Sequence, residues 1–552
     1  MKNVNYISNG STTYKIVGLP GPIGPAGERG PAGEQGPKGE PGDTTMSCAL
    51  DVTKLGIEPN TDITEQMNDL IKRNYKKFYF PNGTYIISYL EFFDSLEIYG
   101  ESKTDTILKR PYGFVTNVNH RRYAFMINNL TTYTEGVGHC ILENITIDGN
   151  VQNAEIYTTI SDSPNITVDD KRVLNYLYSN IEVSGLDSFY IKNCIIKNSI
   201  GIGLGLDGNR RNDVINCEFD YCGHCGLGWA ARNGLDIKSI YFDYRDGAIP
   251  CFMYGVTTRV SGCTFKNTDD MALSLSPMQD TLIENCDISG SGCSDFELWQ
   301  DYEQQGFTGK TKLEIKNCTC GGNIRLGSRA HVLEKNKYKL IIENSTFNCY
   351  NEKGTIVVSN ENCTLDFILK NNEFYNQNSA LKVVGCENLM ISRNIFYNCN
   401  SLAIQFQFVT NKAVIKDNTI NTKKYGIYMY GINQDSYFIR NTIYNSEASN
   451  TEQKCIYIFN PASTNGINHK ILIDKNTFKG TCGIYATETN GSDLYVITNN
   501  DFNTTSNFNY THKTATSFIS TGNILLVNKD FNVSEYTKYK KIDNLIAFEQ
   551  NN

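Results

Sequence analysis

Carboxylate and guanidinium side chains gather in one central stretch of the sequence, on four segments that can be aligned as short strands. The segments read GHCGLGWAAR, DDMALSLSP, SDFELWQDY and GNIRLGSRA. If side chains alternate between the two faces of a strand, the Leu, Ile and Phe residues form one face. The opposite face and the adjoining turns then carry an acidic, basic and aromatic set: Asp270, Asp295, Glu297, Trp299, Asp301, Arg325 and Arg329. Neighbouring carboxylates beside arginine suit acid–base catalysis, because their pKa values are driven apart.

Hydrolysis of a glycosidic bond needs one protonated and one ionised carboxyl group, and their separation indicates the stereochemical outcome. Asp295 and Glu297 are two residues apart on one strand, about 7 Å, and Asp270 is expected about 8 Å from Asp295 on the preceding repeat. Both separations favour inversion, with a water between sugar and base. We therefore predict these three residues to be catalytic, with Arg325 keeping one carboxylate ionised.

Both tryptophans of the chain, Trp229 and Trp299, lie in this central stretch. An aromatic ring can stack on the C–H groups of a sugar, and Trp299 is predicted to do so. Trp229 aligns with Leu206, an expected interior position, so core packing is an equal alternative to substrate binding. Further substrate contacts are predicted for Asp301, Arg325, Arg329 and His224. For the carboxylates and for His224, the alternative is an ordinary solvated turn residue.

The element expected to position these side chains is a repeat. A pattern of six residues, apolar-x-x-(Asn or Cys)-x-apolar, recurs from LENITI and IKNCII to IDKNTF and ITNNDF. Successive copies are mostly 22 to 27 residues apart, a period of about 23 with insertions that indicates an all-β solenoid. The fourth positions from the second copy onward are Cys194, Cys217, Cys263, Cys286, Cys318, Ser345, Asn372, Asn394, Asn418, Asn441, Asn476 and Asn500.

This column of small residues explains the spacing of five of the 18 cysteines. Stacked coils place equivalent residues about 4.8 Å apart, so we predict a buried, reduced Cys ladder that passes into an Asn ladder. Metal binding is the weaker alternative, because no second Cys or His recurs at ligand spacing. The two longest steps, 46 residues from Cys217 to Cys263 and 32 from Cys286 to Cys318, contain insertions predicted to wall a groove beside the candidate site.

A strict Gly-X-Y pattern occupies residues 18–44, where nine uninterrupted triplets follow one another. Only glycine fits the axis of three wound polyproline-like chains, so this segment predicts a collagen-like triple helix and a homotrimer. The alternative, a flexible Gly/Pro linker, would not keep so strict a period.

Residues 51–88 read as a short helix capped by Thr61, followed by two strands around a PNG turn. The motif of Phe80, Pro81, Gly83 and Tyr85 resembles the opening of the pectate-lyase-like superfamily, which implies a right-handed parallel β-helix. We divide the chain into an attachment segment (1–17), a collagen-like stalk (18–44), a cap with the first coils (47–135), the β-helix (136–505) and a C-terminal cap or trimer tip (506–552).

The segment NTDDMALSLS also resembles the Asn-Thr-Asp and Asp-Asp elements of polygalacturonases, a β-helix family with inverting carboxylates. That resemblance implies acid–base roles for Asp269 and Asp270. The chain departs from the family, which carries these elements on separate coils followed by Gly-His-Gly and Arg-Ile-Lys motifs. Here GHCG at His224 precedes them, and Arg-Ile-Lys does not occur.

Stalk and β-helix together resemble a phage tail spike or tail fibre. That resemblance implies a virion protein attached to the tail or baseplate through its N-terminus, binding a bacterial surface polysaccharide. The net charge of −8 and the pI near 5.5 oppose general nucleic-acid binding. No signal-like or membrane-spanning apolar run is found, so we expect synthesis in the host cytoplasm, release by lysis and no membrane insertion. No cofactor or metal is predicted.

Four functions remain open at this point. The first is a polysaccharide depolymerase acting by inverting glycoside hydrolysis. The second is a polysaccharide lyase, for which Arg325, Arg329 and His224 could supply the base or the cation. The third is a receptor-binding spike without catalysis, and the fourth is a structural filament. The coincidence of insertions, tryptophans and carboxylates favours a glycan-directed function, with the enzyme as the first expectation.

Overall fold

The computed structural model describes most of the chain after the predicted stalk, together with two short strands near the N-terminus. The described residues are 6–8, 13–15, 49–112, 115–116, 125–129, 138–153, 155–156, 179–199, 202–207, 209–222, 225–230, 257–267, 271–275, 280–289, 294–299, 310–321, 323–327, 337–348, 355–359, 365–375, 377–431, 434–445, 453–460, 469–488, 494–512, 517–525 and 539–546.

The chain divides into two compact units, Met1–Ser47 and Cys48–Asn552. In the first unit, strands Tyr6–Ser8 and Thr13–Lys15 pair antiparallel. The predicted collagen-like stalk at 18–44 lies outside the described residues, so the triple helix and the trimer stay predictions.

The second unit is a parallel β-helix, as the repeat predicts. Each full coil contributes one strand to each of three parallel sheets, here named sheets A, B and C in the order in which the chain meets them. Sheet A contains Leu50–Asp51, Lys77–Phe80, Leu96–Gly100, His139–Glu143, Ser188–Lys192, Arg211–Ile215, Thr257–Ser261, Asp280–Glu284, Lys310–Lys316, Lys337–Glu343, Leu365–Lys370, Asp435–Ile439, Lys470–Asp474 and Leu494–Thr498.

Sheet B follows sheet A after a tight turn in each coil. It contains Gly83–Ile86, Thr106–Lys109, Thr146–Asp148, Ile195–Ser199, Glu218–Cys222, Thr264–Lys266, Asp287–Ile288, Thr319–Cys320, Thr346–Asn348, Glu373–Tyr375, Ile395–Cys399, Thr419–Thr422 and Thr442–Asn445.

Sheet C closes each coil. It contains Leu90–Phe92, Phe125–Asn129, Ser179–Ser184, Ile202–Asp207, Cys225–Ala230, Met271–Leu275, Ser294–Trp299, Asn323–Gly327, Thr355–Ser359, Tyr425–Tyr430 and Lys454–Asn460. Longer strands bend from one sheet into the next: Ser379–Ser392 and Leu402–Lys416 join C to A, Thr477–Glu488 and Asp501–His512 join B to C, and Ser517–Leu525 joins A to B. Strand Tyr539–Ile546 pairs with Ser517–Leu525, so parallel pairing continues beyond residue 505.

The turn between sheets A and B carries the predicted ladder. Cys194, Cys217, Cys263, Cys286 and Cys318 are buried and unbridged, in agreement with the sequence prediction. From Asn372 onward each Asn side chain bonds to the next: the Nδ2 of Asn418 donates to the Oδ1 of Asn441 at 2.9 Å. The ladder extends to Asn523, one coil beyond the last copy found in the sequence. Because these amides are buried, their mutual hydrogen bonds satisfy groups that would otherwise be costly.

Apolar side chains stack in the same manner inside the coils. The rings of Phe347 and Phe374 lie 4.8 Å apart at 10°, and those of Phe374 and Phe396 lie 4.6 Å apart at 6°. All three are fully buried. Coil-to-coil stacking of identical residues therefore fills the interior, and it leaves the outer faces and turns for other roles.

A helix at Thr64–Lys72 covers the first coils and buries Met67 and Ile71. The prediction that Thr61 caps this helix is wrong. Its hydroxyl donates to the carbonyl of Glu58, whereas the carboxylate of Asp62 accepts the N–H of Thr64 at 3.0 Å. Among the described residues, the remaining helical segments are single 3-10 turns at Val52–Leu55 and Val151–Asn153. Two short strands, Val115–Thr116 and Glu155–Ile156, pair outside sheets A, B and C.

Candidate functional site

One column of aligned positions along sheet C contains residues of most chemical interest. It alternates with a buried apolar column that includes Leu273, Ile324, Ile404 and Ile456. Register pairing connects its members from coil to coil in this order: Gly205, Gly228, Ser274, Glu297, Arg325, Val357, Lys382, Gln405, Tyr428, Tyr457 and Tyr485.

Two predicted site residues are direct neighbours in this column. Glu297 pairs with Arg325 on the adjacent strand, one coil further along sheet C. The flanking pairs Leu273 with Phe296 and Phe296 with Ile324 reproduce the register expected from the sequence. A carboxylate and a guanidinium position therefore occupy equivalent places on successive coils, about 4.8 Å apart along the solenoid.

Some of the other predicted residues lie on described strands, and the rest lie outside the described residues. Asp295 lies two positions before Glu297, and Trp299 ends the same strand opposite Gly327. Trp229 pairs with buried Leu206, so its backbone occupies a register position of the core column. The remaining five lie outside the described residues: Asp269, Asp270, His224, Asp301 and Arg329.

Further along the column, sheet C carries a cluster of aromatic rings that the sequence analysis missed. The cluster, here called the tyrosine surface, comprises Tyr425, Tyr428, Tyr430, Tyr457, Phe459 and Tyr485, all half-buried. Tyr428 stacks on Tyr457 with ring centroids 5.0 Å apart at 22°. Tyr457 also meets Tyr485 edge-on at 5.4 Å, and Tyr430 lies 5.5 Å from Phe459. The rings thus form one continuous patch over three successive coils.

The ammonium group of Lys454 lies among these rings. The Nζ of Lys454 is 4.9 Å from the ring centroid of Tyr485, 5.1 Å from Tyr457 and 5.4 Å from Tyr425. These distances are within the range of cation–π attraction. Lys382, two coils before Tyr428 in the column, adds an exposed cation.

Acidic residues are sparse in this part of sheet C, where Glu488, the register partner of Asn460, ends strand Thr477–Glu488. The strand segments SALKVV, LAIQFQFV, YGIYMY, KCIYIF and GIYAT, which begin at Ser379, Leu402, Tyr425, Lys454 and Gly483, contain neither Asp nor Glu. The chain as a whole is acidic, with a net charge of −8. The tyrosine surface is therefore a neutral-to-positive region on a negative protein, which favours anionic or uncharged ligands.

The hydroxyls of Tyr428 and Tyr457 stay protonated at neutral pH. Burial, with the neighbouring tyrosines, raises the pKa of Tyr457 to about 12, and burial also raises the pKa of Tyr428. A protonated phenol both donates and accepts hydrogen bonds. The surface thus combines flat apolar ring faces with polar hydroxyl edges, the combination that suits the C–H faces and hydroxyl groups of sugars.

The signal that identifies the tyrosine surface is present in the sequence. In YGIYMY, Ile427 and Met429 are buried while Tyr428 and Tyr430 are not, so strand alternation assigns the tyrosines to the outer face. The strand alignment that located Glu297 and Arg325 would have found the tyrosines had it been continued past residue 329.

Described residues elsewhere supply neither a metal cluster nor a membrane span. Within the described ranges, no group of three or more His, Cys, Asp or Glu side chains could hold a metal ion. The helices of those same ranges are too short or too polar to cross a bilayer.

Comparison with known proteins gives one family match. The model described as "Right handed beta helix region" matches residues 131–276 and 332–502, more than half of the chain. A search of curated proteins gives no significant match.

Solved structures with weak similarity include two enzymes named for polysaccharides and one phage tailspike protein. The mannuronan C-5 epimerase AlgE6 A-module of Azotobacter vinelandii is 11% identical, with a TM-score of 0.31, over 91% of this chain and 100% of that one. An α-1,3-glucanase catalytic unit from Streptomyces thermodiastaticus is 14% identical, with a TM-score of 0.32, over 80% and 65%. Tailspike protein 3 of bacteriophage CBA120 is 10% identical, with a TM-score of 0.34, over 90% and 61%. At these low values, the named activities are properties of those proteins alone.

Proposed function

The chain belongs to the right-handed β-helix family, and from the surface that its sheet C carries we propose that it binds and depolymerises a bacterial surface polysaccharide. The observation that carries this proposal is the tyrosine surface around Lys454. Six half-buried rings on an outer sheet face cost free energy unless a ligand covers them, because their apolar area stays in contact with water. Stacked sugar rings would cover them.

The position of the surface relative to Glu297 and Arg325 supports one continuous binding path. Glu297 and Tyr428 belong to the same column and are five coil steps apart. At 4.8 Å per coil, that distance is about 24 Å, the length of several sugar units. A polysaccharide stacked on the tyrosines and running along the solenoid would thus extend to the central coils.

For cleavage, we propose inverting hydrolysis at the central coils. One carboxyl group, from Asp270 or Asp295, would protonate the departing glycosidic oxygen, and ionised Glu297 would accept a proton from the attacking water. Arg325, the register neighbour of Glu297, supports this assignment because a nearby cation lowers the pKa of a carboxyl group. Asp269 is the alternative acid. Trp299, Arg329, Asp301, His224 and Trp229 are proposed as substrate contacts.

The biological setting we propose is that of a trimeric phage tail spike. The nine Gly-X-Y triplets support a triple-helical stalk at residues 18–44, which would join three β-helices, and residues 1–17 would attach to the tail. The spike would act outside the cell, on the virion. Sedimentation of the full-length chain tests the trimer, and a monomer would rule it out.

The experiment for this function uses an array of purified bacterial capsular and cell-wall polysaccharides. We expect the full-length chain to bind at least one of them and to release new reducing ends from it. Asp270→Asn, Asp295→Asn and Glu297→Gln should lower that rate by orders of magnitude while binding persists, because an acid or base acts in the transition state. Equal rates in all three variants would show that the assigned site is wrong. Proton NMR of the first anomer released distinguishes inversion from retention.

A second candidate is a receptor-binding protein without catalysis. The tyrosine surface favours it, because stacking rings and an ammonium group suffice for binding without any carboxylate. Binding of a polysaccharide that never yields new reducing ends would establish this alternative. Products with an unsaturated uronate would instead identify a lyase.

A further inference from the structure

Phe408 has a backbone conformation that its type does not favour. Val384, Gln407 and Tyr430 are register partners on successive coils, and the residue after each has a positive φ. Those residues are Gly385 (φ 78°), Phe408 (φ 55°) and Gly431 (φ 75°). Glycine suits this turn because it has no Cβ to collide with the backbone. Phe408 thus occupies a position that is glycine on the coil before it and on the coil after it.

A phenylalanine at a positive φ is unusual among the described residues of this chain. Most non-glycine residues of this kind in the described part of the chain are Asn, which tolerates the left-handed region. Among the described residues, Tyr221 and Phe408 are the aromatic ones. The side chain of Phe408 is also 46% exposed. The strained backbone and the exposed apolar area each cost free energy, and backbone strain of this kind clusters at functional sites.

The position of Phe408 connects it with the tyrosine surface. It follows Gln407 at the point where sheet C turns into sheet A. Gln407 pairs with Tyr430, whose ring lies 5.5 Å from Phe459 at the edge of the tyrosine surface. The strained residue therefore lies at the end of its sheet C strand, beside the tyrosine surface and one coil before Tyr430.

We propose that Phe408 is a sugar-binding residue, held in the left-handed conformation so that its ring borders the tyrosine surface and contacts a bound polysaccharide. The inference rests on the proposed function, because it names the same ligand. The polar groups beside it, Gln405 and Gln407 in the same strand and the tyrosine hydroxyls of the next coil, suit a hydroxyl-rich chain. A hydrophobic peptide would leave these groups without partners.

The test uses three variants of the full-length chain. Phe408→Gly and Phe408→Asn place residues that accept the positive φ, and Phe408→Tyr keeps an aromatic ring. The probe is the polysaccharide of the array that wild type binds most tightly. We expect Phe408→Gly and Phe408→Asn to weaken its binding roughly tenfold, the effect of losing one aromatic contact. Their melting temperatures should stay within about 2 °C of wild type, because relief of strain offsets the lost packing. Phe408→Tyr should bind as wild type does.

The outcomes separate this inference from the proposed function. If Tyr457→Ala loses binding while Phe408→Gly keeps it, the tyrosine surface binds sugar and the role of Phe408 is wrong. If Phe408→Gly changes the oligomeric state in sedimentation, a second copy of the chain occupies this edge, and the inference is also wrong. If wild type binds no polysaccharide on the array, both the proposed function and the inference fail. Reduced binding by a variant that remains folded and equally assembled supports the inference.

Discussion

Tyr428 and Tyr457 occupy the same register position on successive coils, and their rings stack 5.0 Å apart at an angle of 22°. The separation follows from the rise of one coil, about 4.8 Å, because equivalent side chains of a parallel β-helix lie directly above one another. That rise is close to the length of one hexose unit. Stacked aromatic residues along one face therefore offer a polysaccharide a ring at every step.

Removing the ring of Tyr457 should weaken polysaccharide binding more than removal of a stacked tyrosine elsewhere. Tyr457 contacts Tyr425, Tyr428 and Tyr485, so Tyr457→Ala disrupts the centre of the surface. We expect a loss of roughly tenfold or more in affinity, measured by titration calorimetry with the polysaccharide that the array identifies.

The matched control is Tyr397→Ala. Tyr397 stacks on Tyr375 at 4.6 Å and 11°, but on sheet B. The variant removes a comparable aromatic pair without touching sheet C, and its affinity should equal that of wild type. Equal losses in both variants would mean that stacking stabilises the coils and has no specific part in binding.

Replacing Lys454 should weaken the binding of acidic polysaccharides and reduce the salt dependence of that binding. Its ammonium group is the cation at the centre of the rings, and attraction to a carboxylated chain is screened by added salt. We predict that Lys454→Gln binds polygalacturonate or another acidic chain less tightly at 50 mM salt and shows a flatter salt response.

The control for Lys454 is Lys412→Gln. The Nζ of Lys412 lies 4.6 Å from the ring centroid of Tyr437 on sheet A. The Lys412→Gln variant therefore loses the same kind of cation–π contact away from the tyrosine surface. An identical salt response in wild type and both variants would argue against an acidic ligand at the tyrosine surface.

Much of the fold could be predicted from sequence because one position, occupied by Cys, Ser or Asn, recurs in each coil. The column from Cys194 to Asn500 gave the period, and the pairing of Leu273, Phe296 and Ile324 follows the alignment of the central strands. Such a repeat reports register directly, since equivalent residues must stack. The cap was less predictable, because the N-cap position is occupied by Ile63, whose side chain accepts no hydrogen bond, and the carboxylate of Asp62 accepts the N–H of Thr64 instead.

The site was predicted only in part. Periodicity fixes strands, so it placed Glu297 beside Arg325, but it carries no information on the residues between strands, and Asp270 and His224 lie outside the described residues. The tyrosines were missed for a different reason. Aromatic residues are common on both faces of strands, so residue type alone does not assign them to the outer face, whereas the alternation of Tyr428 with Ile427 does. Phe408 could not be found from sequence, because its interest lies in a backbone angle.

The buried Asn ladder should contribute more to the free energy of unfolding than the hydrogen-bonded pair of Asn398 and Asn421 on sheet B. Buried Asn418 donates to Asn441 and accepts from Asn394, so Asn418→Ala leaves several buried groups without partners. We expect a destabilisation of roughly 2–4 kcal/mol, measured by urea unfolding. Asn421→Ala, which removes one 3.4 Å hydrogen bond to Asn398, should cost less than about 1 kcal/mol. Equal costs would contradict a structural role for the ladder.

The Cys ladder should resist thiol reagents in the native protein. A side-chain hydrogen bond with Cys263, together with burial, raises the pKa of Cys286 to about 12, so its reactive thiolate is scarce at neutral pH. We predict that a maleimide labels Cys286 only after denaturant is added, as followed by mass spectrometry of its peptide. Rapid labelling without denaturant would show that the turn between sheets A and B opens in the folded chain.

The most direct test of the account is a crystal structure of the full-length chain with an oligosaccharide fragment of the polysaccharide that it binds. The account predicts sugar rings stacked on Tyr428 and Tyr457, with the chain running along sheet C towards Glu297 and Arg325. Density for the sugar on sheet A or sheet B, with the tyrosine surface uncovered or occupied by another copy of the protein, would contradict it.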